Sequence, residues 1–222
     1  MNQFSDEVLN QNRLTPANII KAYSVGIFPM AENYSDQKIY WINPQNRGIL
    51  PLGGLHISKS LRKTIKRKSF NVTYNYNFRH IIQECAKIGS RRPETWINQE
   101  IMEAYIELHK IGYAHSIECW KDNKIVGGLY GIALGGAFFG ESMFSQQSNA
   151  SKIALVHLVA ILKDRGFILL DTQFTSDHLE TMGVIEISRE NYLKKLKNAL
   201  AKSPVFYQKY TNHQMLEALL SE

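Results

Sequence analysis

Residues 114–143 read AHSIECWKDNKIVGGLYGIALGGAFFGESM, and this stretch decides the architecture. Residues 114–120 are strand-like and meet Asp122-Asn123, a turn pair that returns the chain into residues 124–134. Gly135-Gly136 turns it again into 137–143, so the stretch predicts an antiparallel meander. Downstream, the pattern predicts a helix over 151–165, an apolar strand over 167–171 and a short helical stretch around 178–182. A strand over 184–188 and a helix to about Lys202 follow. Upstream, Thr15 and Pro16 open a helix that Gly26 stops, and strand-like runs at 39–42 and 49–52 flank the turn formers Asn43-Pro44-Gln45-Asn46. Gly53-Gly54 suggests a boundary between a unit of residues 1–54 and a larger one of 55–222. The larger unit reads as a basic helix opened by Ser58, a strand over 70–76, a helix over 78–86, a loop over 89–93 and a helix over 98–110, then the meander. Meander, helix, strand, helix describes an α+β fold with a mixed, mostly antiparallel sheet.

Composition sets the outer limits. The 222 residues are 44% hydrophobic and 21% charged, and eleven Tyr, ten Phe and three Trp supply apolar surface for a sizeable core. No apolar run is long enough for a membrane span, and the first eleven residues lack the basic and apolar regions of a signal peptide. Two cysteines, Cys85 and Cys119, are too few for a disulfide framework, and the seven histidines show no metal-ligand spacing. The expectation is a reduced, cytoplasmic, soluble protein with no metal and no membrane partner. Of the net charge of +6, all is accounted for by residues 59–68, KSLRKTIKRK, which hold six cations and no anion. Such a patch on a neutral body is an electrostatic footprint for phosphate, the plainer alternative being a solvated helix face.

Two carboxylates stand where strands end, Glu141 in GESMFS and Asp171 after four apolar residues. Carboxylates there need a hydrogen bond, a partner or a function, and loop capping is the plainer alternative. Gln173 follows two residues after Asp171 and shares its side if the strand continues. The strand-to-helix loop at 146–151 stands where acyl-CoA-dependent acyltransferases carry a glycine-rich pyrophosphate cradle. Here Gln146 is followed by Asn149 and Ser151, which argues against coenzyme A.

The motifs GIFPM (26–30), WINP (41–44) with Arg47, LHISKSLR (55–62), TWI (95–97), GYAHSIE (112–118) and VGGLYG (126–131) appear in order. GESMFS (140–145), NASK (149–152) and DTQ (171–173) follow. This series resembles the leucyl/phenylalanyl-tRNA–protein transferases of bacteria from about Ala17 to Tyr192. The resemblance implies a small N-terminal domain and an acetyltransferase-like (GNAT-type) C-terminal domain that uses aminoacyl-tRNA in place of acyl-CoA. The implied reaction moves Leu or Phe from tRNA to the α-amino group of a protein beginning with Arg or Lys, creating an N-end-rule degradation signal. It implies no metal and no bound cofactor; a monomer is the expectation for the chain.

By the same resemblance, Gln173 contacts the attacking amine, Asp171 polarises Gln173, and Glu141 binds the cationic acceptor or orders the reacting groups. An amide is a poor base, which leaves the ester's 2′-hydroxyl or a water to take the proton. Leu129, Phe138 and Leu158 match the lining of the aminoacyl pocket, with Ser142 also among the substrate contacts. Trp96 and Tyr105 match residues near the terminal adenosine, and Met30 stands where some relatives have Trp. Lys59, Arg62, Lys63, Lys66 and Arg67 would hold the acceptor stem by its phosphates. An acetyl-CoA-dependent N-acetyltransferase of the same fold and a non-catalytic tRNA-binding module are the alternatives.

Overall fold

Thr15 sets the first helix: its side chain accepts the Asn18 N–H at 3.2 Å and opens α1 (Pro16–Ser24), with Pro16 in the first turn. The computed structural model describes residues 14–89, 93–206 and 213–221; the first eleven residues and positions 90–92 of the loop expected at 89–93 lie outside the described residues. After α1 the chain forms a two-stranded antiparallel sheet of β1 (Phe28–Met30) and β2 (Tyr40–Ile42). β3 (Asn46–Ile49) follows, then α2 (Lys59–Lys66), β4 (Asn71–Tyr74), α3 (Phe78–Ala86) and α4 (Gln99–Lys110). The predicted meander forms as β5 (Ala114–Lys121), β6 (Lys124–Leu134) and β7 (Ala137–Ser145). Asp122 and Asn123 both take left-handed angles (φ 49° and 58°), as a tight hairpin turn requires. The chain closes with α5 (Ala150–Arg165), β8 (Leu169–Gln173), α6 (Asp177–Glu180), β9 (Ile185–Ser188), α7 (Arg189–Leu200) and α8 (His213–Ser221).

Three elements depart from the sequence reading. β1 and α8 carry no pattern that the reading picked up, and the strand expected at 49–52 sits three residues earlier, as β3. The turn formers at 43–46 do not fold β2 back onto β3. β2 pairs with β1, and β3 crosses into the large sheet. β3 does so ahead of residue 54, where the glycine pair suggested the boundary.

The large sheet has seven strands in the order β4-β5-β6-β7-β8-β3-β9. Every pair is antiparallel except β7 and β8, which α5 connects as a parallel crossover. Side chains alternate across the sheet, so each face builds its own core. Tyr130, Ile132, Phe139 and Leu169 pack with residues of α1, α3, α4 and α7. Leu129, Phe138 and Leu170 pack with α2, α5 and α8 on the other face. The small N-terminal unit therefore shares the first of these cores. Among the described residues no helix is long and apolar enough to cross a membrane.

Three irregularities converge at one place in the sheet. The β7–β8 ladder ends at Phe139↔Asp171 although β7 continues to Ser145 and β8 to Gln173. The β6–β7 register passes from Gly131↔Gly140 to Tyr130↔Ser142, leaving Glu141 as the extra residue of a bulge. The β3–β8 register passes from Ile49↔Asp171 to Gly48↔Gln173, leaving Thr172 as another. Bulges bend a strand and re-aim side chains, and here two of them flank the point where the ladder opens. Gly48 is required by that approach, since a Cβ on it would lie 2.6 Å from the Phe174 carbonyl oxygen.

Candidate active site

Asp171 ends the apolar part of β8 at 0% exposure, and a buried carboxylate needs a cation. Arg47 of β3, 1% exposed, supplies it. Its Nε donates to Asp171 Oδ1 at 3.0 Å and a terminal nitrogen donates to Oδ2 at 2.7 Å, the fork geometry that only a guanidinium offers. The other terminal nitrogen donates to the Gly26 carbonyl at 3.0 Å, tying the end of α1 to the site. The guanidinium lies between the rings of Phe28 and Tyr192, 4.5 and 4.6 Å from their centroids. Tyr192 of α7 adds a hydroxyl donor to Asp171 Oδ2 at 2.7 Å.

Glu141 occupies a different environment. Tyr23 of α1 donates to its Oε1 at 2.6 Å, Tyr105 of α4 to its Oε2 at 3.1 Å, and the two hydroxyls meet at 2.6 Å. The Gln173 side-chain amide donates to Oε1 at 3.2 Å across the open ladder. Burial pushes the Glu141 carboxyl up to about 8, with the nearby Asp171 charge adding to the rise and the tyrosine hydrogen bonds opposing it. Burial beside Glu141 in turn raises both tyrosine hydroxyls well above their ordinary value. The residue as a whole is half-buried.

Gln173 joins the two carboxylates, though not as the sequence suggested. Asp171 Oδ1 accepts the backbone N–H of Gln173 at 2.8 Å, while the Gln173 side chain reaches Glu141. Gln173 has φ +57°, so the regular alternation that would align its side chain with Asp171 is broken. The side-chain relay expected between Asp171 and Gln173 is thus a backbone contact.

Met30, Trp96 and Tyr105 lie on the same side of the sheet as Glu141, and the Ala31 N–H donates to the Trp96 carbonyl at 3.3 Å. Leu129, Phe138 and Leu158 lie on the opposite side, each at most 4% exposed. The two sets of residues expected as substrate contacts are therefore divided by the sheet, with the open ladder between β7 and β8 between them. Ser142 adjoins Glu141 on β7, half-buried and paired with Tyr130. The loop at 146–151 is already spoken for. Gln146 donates to Glu84 at 2.8 Å, and a Cβ on Gly127 would lie 2.4 Å from Ala150, so the start of α5 is packed onto β6. Ser151 is not the cap of α5; Asn149 holds that position in a left-handed conformation.

The basic helix α2 forms as expected, with the Ser58 side chain accepting the Leu61 N–H at 3.2 Å and Leu61 and Ile65 buried. Lys59, Lys63, Lys66 and Arg67 are exposed. Arg62 differs: half-buried, it donates to the Leu220 carbonyl and so holds the end of α8. Arg47, Tyr23 and Tyr192 are site residues that carried no role in the sequence reading. The signal for Arg47 was its place beside WINP in the motif series together with the demand of a buried Asp171 for a cation. Tyr23 and Tyr192 carried none beyond helix periodicity.

The family model described as leucyl/phenylalanyl-tRNA protein transferase matches residues 49–197, and its N-terminal domain model matches 12–45. The chain belongs to the leucyl/phenylalanyl-tRNA protein transferase family. It is 53% identical over 187 residues to the leucyl/phenylalanyl-tRNA–protein transferase of Rhizorhabdus wittichii, covering 84% of this chain and 75% of that one. It is 54% identical over 190 residues to the protein of the same name from Zymomonas mobilis, covering 86% and 71%. Among solved structures, L-PGS from Bacillus licheniformis aligns at 14% identity and TM-score 0.38, covering 74% and 55%, a likeness too loose to carry a fold assignment. The two family models meet between residues 45 and 49, where β3 begins.

Proposed function

We propose that the chain transfers Leu or Phe from aminoacyl-tRNA to the α-amino group of a protein beginning with Arg or Lys, producing an N-end-rule degradation signal. It acts in the cytoplasm as a monomer on an acetyltransferase-like fold. The observation that carries the reading is the opened β7–β8 ladder, with Glu141 and Gln173 bridging the opening and Asp171 anchored behind them.

The aminoacyl ester is already activated, so the protein must orient the amine and manage the protons that its nitrogen gives up. The ammonium gives one proton to Glu141, the neutral amine attacks the ester carbonyl, the bond to the terminal ribose oxygen breaks, and the second nitrogen proton passes to that oxygen. An α-amino group titrates near ~8. Glu141, pushed up to about 8, is matched to that proton, and an ordinary carboxylate is not. Gln173 orients the amine beside Glu141. Trp96, Tyr105 and Met30 receive the terminal adenosine, and the donor side chain passes through the opening toward Leu129, Phe138 and Leu158. Because those three are packed closed, they must shift to admit it. Lys59, Lys63, Lys66 and Arg67 hold acceptor-stem phosphates.

The test is a transfer assay with radiolabelled Leu-, Phe- and Arg-tRNA and peptides beginning with Arg, Lys, Asp or Ala. Labelling of the Arg and Lys peptides from Leu- or Phe-tRNA is the expected result. Labelling of the Asp peptide from Arg-tRNA would overturn the donor and acceptor, and tRNA binding without labelling would leave a binding module.

A further inference from the structure

We infer that Arg47 and Tyr192 are positioning residues of the transfer reaction, acting through Asp171 to hold Gln173 in the one backbone conformation that brings its amide to Glu141. The inference rests on the reading of Gln173 as the group beside the attacking amine. Four observations carry it. Gln173 is a non-glycine residue at φ +57°, a conformation that persists only where its surroundings hold it. Its backbone N–H is held by Asp171 Oδ1 at 2.8 Å. Both Asp171 oxygens are in turn fixed from the far side, by the Arg47 fork and by the Tyr192 hydroxyl at 2.7 Å. Only with the backbone so placed does the Gln173 Nε2 lie 3.2 Å from Glu141 Oε1.

The arrangement gives Asp171 no free oxygen with which to polarise the Gln173 amide. Its carboxylate works as an anchor, and the anchor depends on residues drawn from β3 and α7. Arg47 also grips Gly26 at 3.0 Å, so the same guanidinium sets the end of α1, the helix that carries Tyr23 to Glu141. A lysine at 47 would keep the charge and lose the fork.

The experiment compares Tyr192→Phe and Arg47→Lys in the parent protein and in a Gln173→Ala background, measuring kcat, KM for aminoacyl-tRNA and Tm. Tyr192→Phe removes one hydroxyl and keeps the ring on Arg47, so it preserves packing. In the parent, each variant is expected to lower kcat about tenfold with KM little changed, since a misplaced reacting group costs turnover. In the Gln173→Ala background Tyr192→Phe is expected to cost almost nothing further, because the group it positions is gone, whereas Arg47→Lys keeps the part of its loss that runs through Gly26 and Tyr23. Equal losses of Tyr192→Phe in both backgrounds, or a lowered Tm with kcat intact, would overturn the positioning role and leave a structural one. Full activity of Gln173→Ala alone would instead overturn the transfer reading of Gln173, a separate outcome.

Discussion

Glu141 and Asp171 lie on strands that are paired up to Phe139↔Asp171, yet they are held in opposite ways. Asp171 is enclosed with a guanidinium and a tyrosine hydroxyl, and its charge is matched. Glu141 is surrounded by neutral donors from Tyr23, Tyr105 and Gln173, with no cation among its hydrogen-bond partners. A matched carboxylate is rigid and inert, whereas one met only by neutral donors keeps a proton within reach near neutrality. Environment divides structural from chemical work between identical functional groups.

Removing the anchored member breaks the comparison most severely. Asp171→Ala leaves Arg47 buried without its anion, a change that costs about 3–5 kcal/mol of stability. Turnover is expected to fall by roughly a thousandfold or more with tRNA binding retained, because Gln173 loses the anchor that aims it at Glu141 while the packing around Arg47 is disturbed. Urea midpoints and single-turnover rates measured alongside tRNA affinity check this, and equal loss of binding and turnover would make the residue purely structural.

Glu141→Gln sharpens the comparison because it keeps the shape and an acceptor oxygen for Tyr23 and Gln173 while removing the titration. Turnover is expected to drop about a hundredfold or more. The pH dependence of stability follows from the sign of the shift. Between the ordinary glutamate value and about 8 the folded chain holds a proton that the unfolded chain has lost. Stability is therefore lost as pH rises through this window, by an amount on the order of 2–4 kcal/mol once partial solvent access is allowed for. Glu141→Gln should flatten that decline in melting curves taken from pH 5 to 8, and an unchanged slope would place the titration elsewhere.

The smallest effect belongs to charges that have neither kind of burial. Lys63→Glu with Lys66→Glu is expected to weaken all tRNAs alike and to reduce the salt slope of binding by about one per lost phosphate contact. A slope equal to the parent's would move the acceptor stem off α2. Arg62 is excluded from the test because its contact with Leu220 would confound α8 docking with tRNA affinity.

Much of this was legible locally. Thr15, Ser58 and Asn98 each cap a helix with their own side chain, and Asp122-Asn123 turns the hairpin, because these signals act within four residues. The two acids and Gln173 were visible as polar groups beside apolar strands and the cationic run as charge, although Glu141 and Asp171 stand within β7 and β8 where their ladder opens rather than at the strand ends. The Asp171–Gln173 relation was misread because period-two alternation assumes a regular strand, and the bulge at Thr172 with Gln173 at φ +57° ends that regularity. β1 escaped notice because three residues containing a proline carry no period.

By itself, then, the sequence determined the α+β class, the meander, the helix ends and the chemical types that stand at the site. Only the tertiary structure decided which groups meet. Arg47 reaches Asp171 across 124 positions and Tyr23 reaches Glu141 across 118. Such partners are selected by which strand β3 joins and which face α1 covers, choices governed by burial summed over the whole core. Local hydrogen-bond and turn preferences cannot encode them, because those preferences end within a few residues of where they begin.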